Sequence, residues 1–364
     1  MESPEICHRA YFSALFLIHA NRRMPVKRLT LRRVLWSCAL LAAVLLGIVL
    51  LALRLGAVPF SFGDLGQNLW FLVSGQSEKV STDFRVIMVD IRLPRILLGI
   101  VVGAALSVAG AGFQALLRNP LADPYVLGVS SGAALGAILA LLAAPALPLM
   151  TPAAAFLGAV ATIAAVYFLG RRQGQLDSST LLLAGIVTAS FLTAMIMFLM
   201  TTLTSRDLRG ISFWLMGDLS ASLPRGLLWI MITGFFAAAG AILTTASDLN
   251  VLLAGEREAM HLGVNVTRVK LVVYISASVL TGLAVSVSGA IGYVGLLVPH
   301  VMRMFFGSDY RLLIPTSALG GAIAIVLADT LARTLIAPTQ LPVGAMTAMA
   351  GAPVFIYLLR RRLA

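Results

Sequence analysis

Few side chains in this 364-residue sequence could do chemistry, and their spacing argues against catalysis. The histidines His8, His19, His261 and His300 are scattered without metal-ligand spacing, and Cys7 and Cys38 offer no disulfide framework. Lys27, Lys79 and Lys270 are the only lysines, and none follows a glycine. A Gly-Lys-Ser/Thr turn that could cradle nucleotide phosphates is therefore missing. Asp329 is the one carboxylate clearly inside an apolar stretch, which makes it a functional candidate, for example in proton coupling. It also stands four residues before Arg333, a spacing that permits an in-helix ion pair. With no catalytic dyad, metal triad or carboxylate pair in such a stretch, no enzyme, metal site or cofactor is expected.

The remaining candidates sit at the ends of apolar runs. Arg92 and Arg333 flank two of them, with Arg95 close by. Between two others, Ser247–Thr267 carries Asp248, Glu256, Arg257, Glu258 and His261 interleaved with Leu252, Leu253, Met260 and Leu262. A short amphipathic segment of this kind presents an apolar ridge to a partner's groove. Ser178-Ser179-Thr180 opens a further run, where serine is either a helix cap or a small side chain at a constriction. Met195, Met197 and Met200 in that run do not share one helical face and read as packing.

The elements that position these residues are membrane helices. The chain is 59% hydrophobic and 12% charged, with a mean hydropathy of +0.96. A soluble domain is roughly 45–50% apolar and about 25% charged, so there is too little polar surface to coat a particle in water. The net charge of +12 would suggest nucleic acid in a soluble protein. Here the charges lie between apolar runs rather than on one face, which argues against nucleic acid. Ten segments qualify as spans, namely residues 34–55, 93–117, 124–144, 149–170, 180–203, 226–246, 268–288, 291–306, 312–332 and 344–359. The eighth is short and contains Pro299 and His300, as expected of a broken or re-entrant helix buried by protein. About two thirds of the 27 lysines and arginines fall on one side if both termini are cytoplasmic, the arrangement the positive-inside rule favours. Residues 1–33 read as a cytoplasmic extension. Met24 is the expected start, and a signal peptide over the first 23 residues is the alternative. Outside, Ser205–Ser220, with Phe213 and Trp214, is expected to form an interfacial helix.

An internal repeat organises the spans. Gly103-Ala-Ala-Leu-Ser107-Val-Ala-Gly110-Ala111 aligns with Gly282-Leu-Ala-Val-Ser286-Val-Ser-Gly289-Ala290, 179 residues later. The two copies are the second and seventh spans, five apart, so they run in opposite directions. Inverted repeats underlie alternating access in transporters. Dense glycines in the second, third and seventh spans suit close helix packing in lipid.

The ordered motifs resemble the permease family of ATP-binding-cassette (ABC) importers for iron–siderophores, haem and vitamin B12. The resemblance rests on Arg92-Leu-Pro-Arg95, Gly103 through Gln114, Arg118-Asn-Pro-Leu-Ala-Asp-Pro124, Leu127-Gly-Val-Ser-Ser-Gly132, Leu181-Leu-Leu-Ala-Gly185 and Trp214-Leu-Met-Gly217. It continues through Gly255-Glu256, Leu262-Gly263, Gly289-Ala-Ile-Gly-Tyr-Val-Gly295, Val298-Pro-His-Val-Met-Arg303, Leu341-Pro-Val-Gly344 and Gly351-Ala-Pro-Val-Phe355. It implies an all-α polytopic protein of the type II importer class, with a transmembrane permease domain over residues 34–362, in a bacterial inner membrane. It further implies a homodimer enclosing one path, two separate ATPase subunits and a periplasmic substrate-binding protein. Residues 247–267 would form the ATPase-coupling loop, through Leu252, Gly255, Glu256, Met260, Leu262 and Gly263. Arg92 and Arg333 would meet acidic residues of the binding protein, and Ser178 and Ser179 would line the inner gate. An ion-coupled secondary transporter, with Asp329 as its titratable group, is the alternative.

Overall fold

The computed structural model describes residues 29–363 apart from 57, 59, 145, 146, 148, 173, 174, 204, 221–223 and 338. Cys7, His8, His19, Lys27 and the expected start at Met24 lie outside the described residues. Contacts group the described residues from Ser37 onward into one unit.

Apolar composition and helical periodicity produce fourteen α-helices among the described residues. Helix α1 is Leu31–Arg54, and α2 is Phe62–Val73, which starts at a capping box. In that box the Asp64 amide donates to Ser61 Oγ at 3.0 Å and the Ser61 amide donates to Asp64 Oδ2 at 3.1 Å. Helix α3 runs from Thr82 to Leu116 and is π-wound over Val86–Arg92. The wide turn directly precedes Pro94, whose ring has no N–H to donate and would clash with a carbonyl one α-turn back. Next come α4 (Val129–Ala143), α5 (Met150–Leu169), α6 (Ser178–Thr201), the short α7 (Ser205–Leu215) and α8 (Arg225–Thr244). The remainder are α9 (Ala246–Leu252), α10 (Glu256–His261), α11 (Val266–Ser288), α12 (Val294–Phe306), α13 (Tyr310–Thr334) and α14 (Val343–Leu363). The only β-structure among the described residues is a two-residue pairing of Arg171–Arg172 with Gln175–Leu176.

Among the described residues, seven helices have the length and apolarity to cross a bilayer, and α4, α12 and α14 are shorter apolar helices. Together they coincide with the ten expected spans. At 1.5 Å per residue, the 13 residues of α12 reach only about 20 Å. The eighth segment is therefore broken, as the sequence suggests. Ahead of it the backbone unwinds over residues 289–293, and Tyr293 sits at φ +68°. Tyr125 clamps this irregular stretch at its centre. The Tyr125 hydroxyl donates to the Ile291 carbonyl at 2.9 Å and accepts from the Ile291 amide at 2.9 Å. Non-helical backbone inside a membrane protein requires such internal partners.

Helix α3 is buried almost all round, with α11 and α13 against it, whereas α5, α6 and α8 keep most of their surface exposed. Close approach depends on glycine. A Cβ at Gly103 would stand 2.2 Å from the Gly321 carbonyl oxygen of α13, and one at Gly110 would stand 1.8 Å from that of Gly295 in α12. The packing also obeys the inverted repeat. The second span (α3) packs on the ninth (α13), and the seventh (α11) packs on the fourth (α5). Moving five spans along the chain converts one pair into the other.

Outside the spans, α7 forms where an interfacial helix is expected. Ile211 is buried and Trp214 packs against the core, while Phe213 and Met216 remain exposed. The indole is thus a packing residue rather than a free interfacial anchor.

Gly110→Ala should lower stability by about 1–3 kcal/mol or more, because the α3–α12 backbones must separate. Gly47→Ala, where a Cβ would meet nothing within 4 Å, should be neutral or slightly stabilising. Thermal unfolding of the two purified variants in detergent checks the contrast.

Candidate functional site

The loop between α8 and α11 folds into two short helices, α9 and α10, joined by a sharp turn at Gly255. That residue sits at φ +144°, where a Cβ would collide with the Glu258 carboxylate. Gly263, at φ +83°, ends α10: its amide donates to the Met260 carbonyl at 3.0 Å, and the Val264 amide donates to that of Ala259 at 3.0 Å. Leu253, Met260 and Leu262 project outward with 49%, 54% and 71% of their surface exposed. Leu252, expected on the same ridge, is 2% exposed and packs with Leu249 and Ala246 in the core. In a helix, adjacent residues point about 100° apart, so Leu253 faces out because Leu252 faces in.

Polar anchors fix the loop. Asn250 donates to Asp309 Oδ1 at 2.8 Å and accepts from the Tyr310 amide at 2.9 Å, tying α9 to the start of α13. The hydrogen bond from Arg311 holds the Asp309 carboxyl below its ordinary range. Its stabilising effect is therefore present at neutral pH and is lost only as acid carries the pH below about 3.9 and through the depressed folded value. Glu256 pairs with Lys270 of α11 at 2.8 Å and with Arg118, beyond α3, at 3.5 Å. Lys270 also donates to the Leu176 carbonyl at 3.0 Å.

The arginines near the opposite ends of α3 and α13 are not projecting. Arg92 is 4% exposed and donates to the Leu53 carbonyl at 2.6 Å, to that of Arg54 at 3.5 Å and to that of Val58. Its guanidinium also lies 5.2 Å from the centre of the Phe60 ring. It thereby serves the carbonyls that the end of α1 leaves without helical partners. Arg333 is 8% exposed and pairs with Asp329 at 3.0 Å, the local pair the spacing permits. Arg95 pairs with the same carboxylate at 2.8 Å and donates to Gln340 Oε1 at 2.8 Å. Arg92 and Arg333 line one cavity together with Arg95 and Gln340. Long guanidinium side chains fold back when carbonyls and a carboxylate lie within reach.

At the N-terminal end of α6 the cap is Asp177, which accepts from the Thr180 amide at 2.8 Å. Ser178 instead donates to the Leu116 carbonyl at the end of α3 at 3.1 Å, and Ser179 is exposed. Sequence reasoning missed the roles of Lys270, Arg118, Asn250 and Tyr125. The available signal was Lys270 itself, a lysine inside an apolar span, which demands an internal partner.

The sequence matches the FecCD transport family over residues 40–361. The chain belongs to the FecCD transport family. One relative is the cobalamin import system permease protein of Halobacterium salinarum, 44% identical over 286 residues, 76% of this chain and 74% of that protein. Another is the hemin transport system permease protein of Yersinia pestis, 40% identical over 340 residues, 89% of this chain and 96% of that protein. Among solved structures, a metal-chelate type ABC transporter in an inward-facing conformation superposes with a TM-score of 0.78 at 29% identity, covering 89% of this chain and 98% of that one. This FecCD chain is a multi-pass membrane protein, on its family and its apolar helices together.

Asp329→Asn should cost on the order of 3–5 kcal/mol, because Arg95 and Arg333 would keep their buried charges without a carboxylate. A matching fall in the thermal unfolding temperature in detergent checks this structural role.

Proposed function

We propose that this chain is the permease subunit of an ABC importer, that two copies enclose the path for a metal chelate, and that ATP is hydrolysed on separate subunits. The observation that carries the reading is the exposed ridge of Leu253, Met260 and Leu262 on a loop tied through Asn250 to the start of α13. An apolar ridge fixed on a polar frame suits a partner's groove, and the sequence has no phosphate-binding turn of its own. Residues 34–362 would then be the permease domain of a bacterial inner-membrane protein, with both termini and the 247–267 loop on the cytoplasmic side. Glycines at 255 and 263 give the loop its shape, and Glu256 secures it. A periplasmic binding protein would deliver ligand at the opposite end, docking at Arg92 and Arg333. Ser178 and Ser179 would line the inner gate, where small side chains let a wide chelate pass.

The names of the relatives place cobalamin, haem and iron chelates in the candidate class. A large chelate needs no charged site at mid-membrane, which agrees with a cluster at Asp329 that is committed to Arg95 and Arg333. The same commitment weighs against an ion-coupled carrier, which would need that carboxylate free to exchange protons.

Met260→Glu combined with Leu262→Glu should weaken ATPase association about 30-fold or more, and deleting residues 251–263 should abolish it. Pull-down of the ATPase at matched permease levels reads the outcome, and unchanged association would refute the docking role. Purification with the cognate binding protein, followed by absorbance and mass spectrometry, identifies the ligand.

A further inference from the structure

Lys270 lies on the second turn of α11 with 5% of its surface exposed, yet it faces no carboxylate of its own helix. Its ammonium bridges two other elements, Glu256 of the loop at 2.8 Å and the Leu176 carbonyl at 3.0 Å. The chain from Leu176 leads directly through Asp177 into Ser178, whose hydroxyl donates to the Leu116 carbonyl at 3.1 Å. Two residues past Leu116, Arg118 stands in a left-handed turn at φ +48° and returns to Glu256 at 3.5 Å. These contacts close a ring: Glu256, Lys270, Leu176, Ser178, Leu116, Arg118 and back to Glu256. The loop and the start of α6 therefore share one buried cation.

We propose that Lys270 is a positioning residue that transmits displacement of the 247–267 loop to the inner end of α6, at Ser178 and Ser179. The inference rests on the permease reading above. A loop that moves on its own would be absorbed by its glycine turns. A loop clasped to Leu176 must carry the first turn of α6 with it, because the ammonium has no water-exposed alternative to its two partners. Charge-assisted hydrogen bonds are short and directional, which suits a strut better than apolar contact does. Neither Lys270 nor Leu176 contributes to the exposed ridge, so the transmission role is separable from docking.

The test uses the full complex of permease, ATPase and binding protein in liposomes, with cobalamin, haemin and ferric citrate offered separately as probes. The readout is ligand carried per ATP hydrolysed. Lys270→Met keeps an apolar stem as far as Cε and removes both bonds. It should still retain the ATPase in pull-downs while the ratio falls on the order of tenfold. Lys270→Arg, which keeps the charge and the donors, should recover most of the ratio. A wild-type ratio in folded Lys270→Met complexes would overturn the proposal. If that variant does not assemble, Lys270→Gln, which loses the ion pair but keeps a donor, is read in the same way. Absence of ATP-driven uptake by the unmodified complex would strike at the permease reading itself, a distinct failure.

Discussion

Hydrocarbon offers no hydrogen-bond partner, so every backbone break and every charge within this bundle must be satisfied by the protein. That constraint explains features that otherwise look unrelated. The unwound stretch between α11 and α12 is tolerated because one tyrosine hydroxyl, that of Tyr125, serves both the amide and the carbonyl of Ile291. Arg92 turns back to the carbonyls that end α1. Arg95 and Arg333 share Asp329, and Lys270 finds a carboxylate and a carbonyl on two other elements. Each solution joins segments distant in sequence, so the demand for internal partners also sets the tertiary arrangement.

Close packing supplies the remainder. Between lipid-immersed helices there is no hydrophobic drive to associate, and contact must come from surfaces that fit. Gly103 against Gly321 and Gly110 against Gly295 bring backbones together where any side chain would force them apart. Gly103 and Gly110 also belong to the internal repeat, where they align with Gly282 and Gly289. They lie where α3 meets α13 and α12, two helices of the opposite half. A fold built from two inverted halves in this way has two related conformations available to it, the physical basis of alternating access.

The ten spans, the broken eighth span, the small interfacial helix and the loop between α8 and α11 were legible from composition and periodicity, because those signals are local. The direction of a side chain is not local. Leu252 and Leu253 are both leucine, and only the packing of α9 against its neighbours decides which is core and which is ridge. Arg92 was legible as a charge at the end of a span, but carbonyls 34 or more residues earlier in the chain determine that it folds inward. The Asp329–Arg333 pair could be read from its spacing, whereas Arg95 joins it from another helix. Lys270 is fixed by Leu176 and Glu256, which only the folded chain brings beside it.

On the proposed reading, this membrane body moves its ligand with power drawn from a separate ATPase docked on the Leu253–Met260–Leu262 ridge. The most direct measurement is uptake of cobalamin, haemin or ferric citrate into liposomes that hold the permease with or without its ATPase, with ATP on the ATPase side. Uptake should appear only with ATPase and ATP together, and should persist when ionophores collapse all ion gradients. Uptake by the permease alone, abolished by an ionophore and indifferent to ATP, would contradict it.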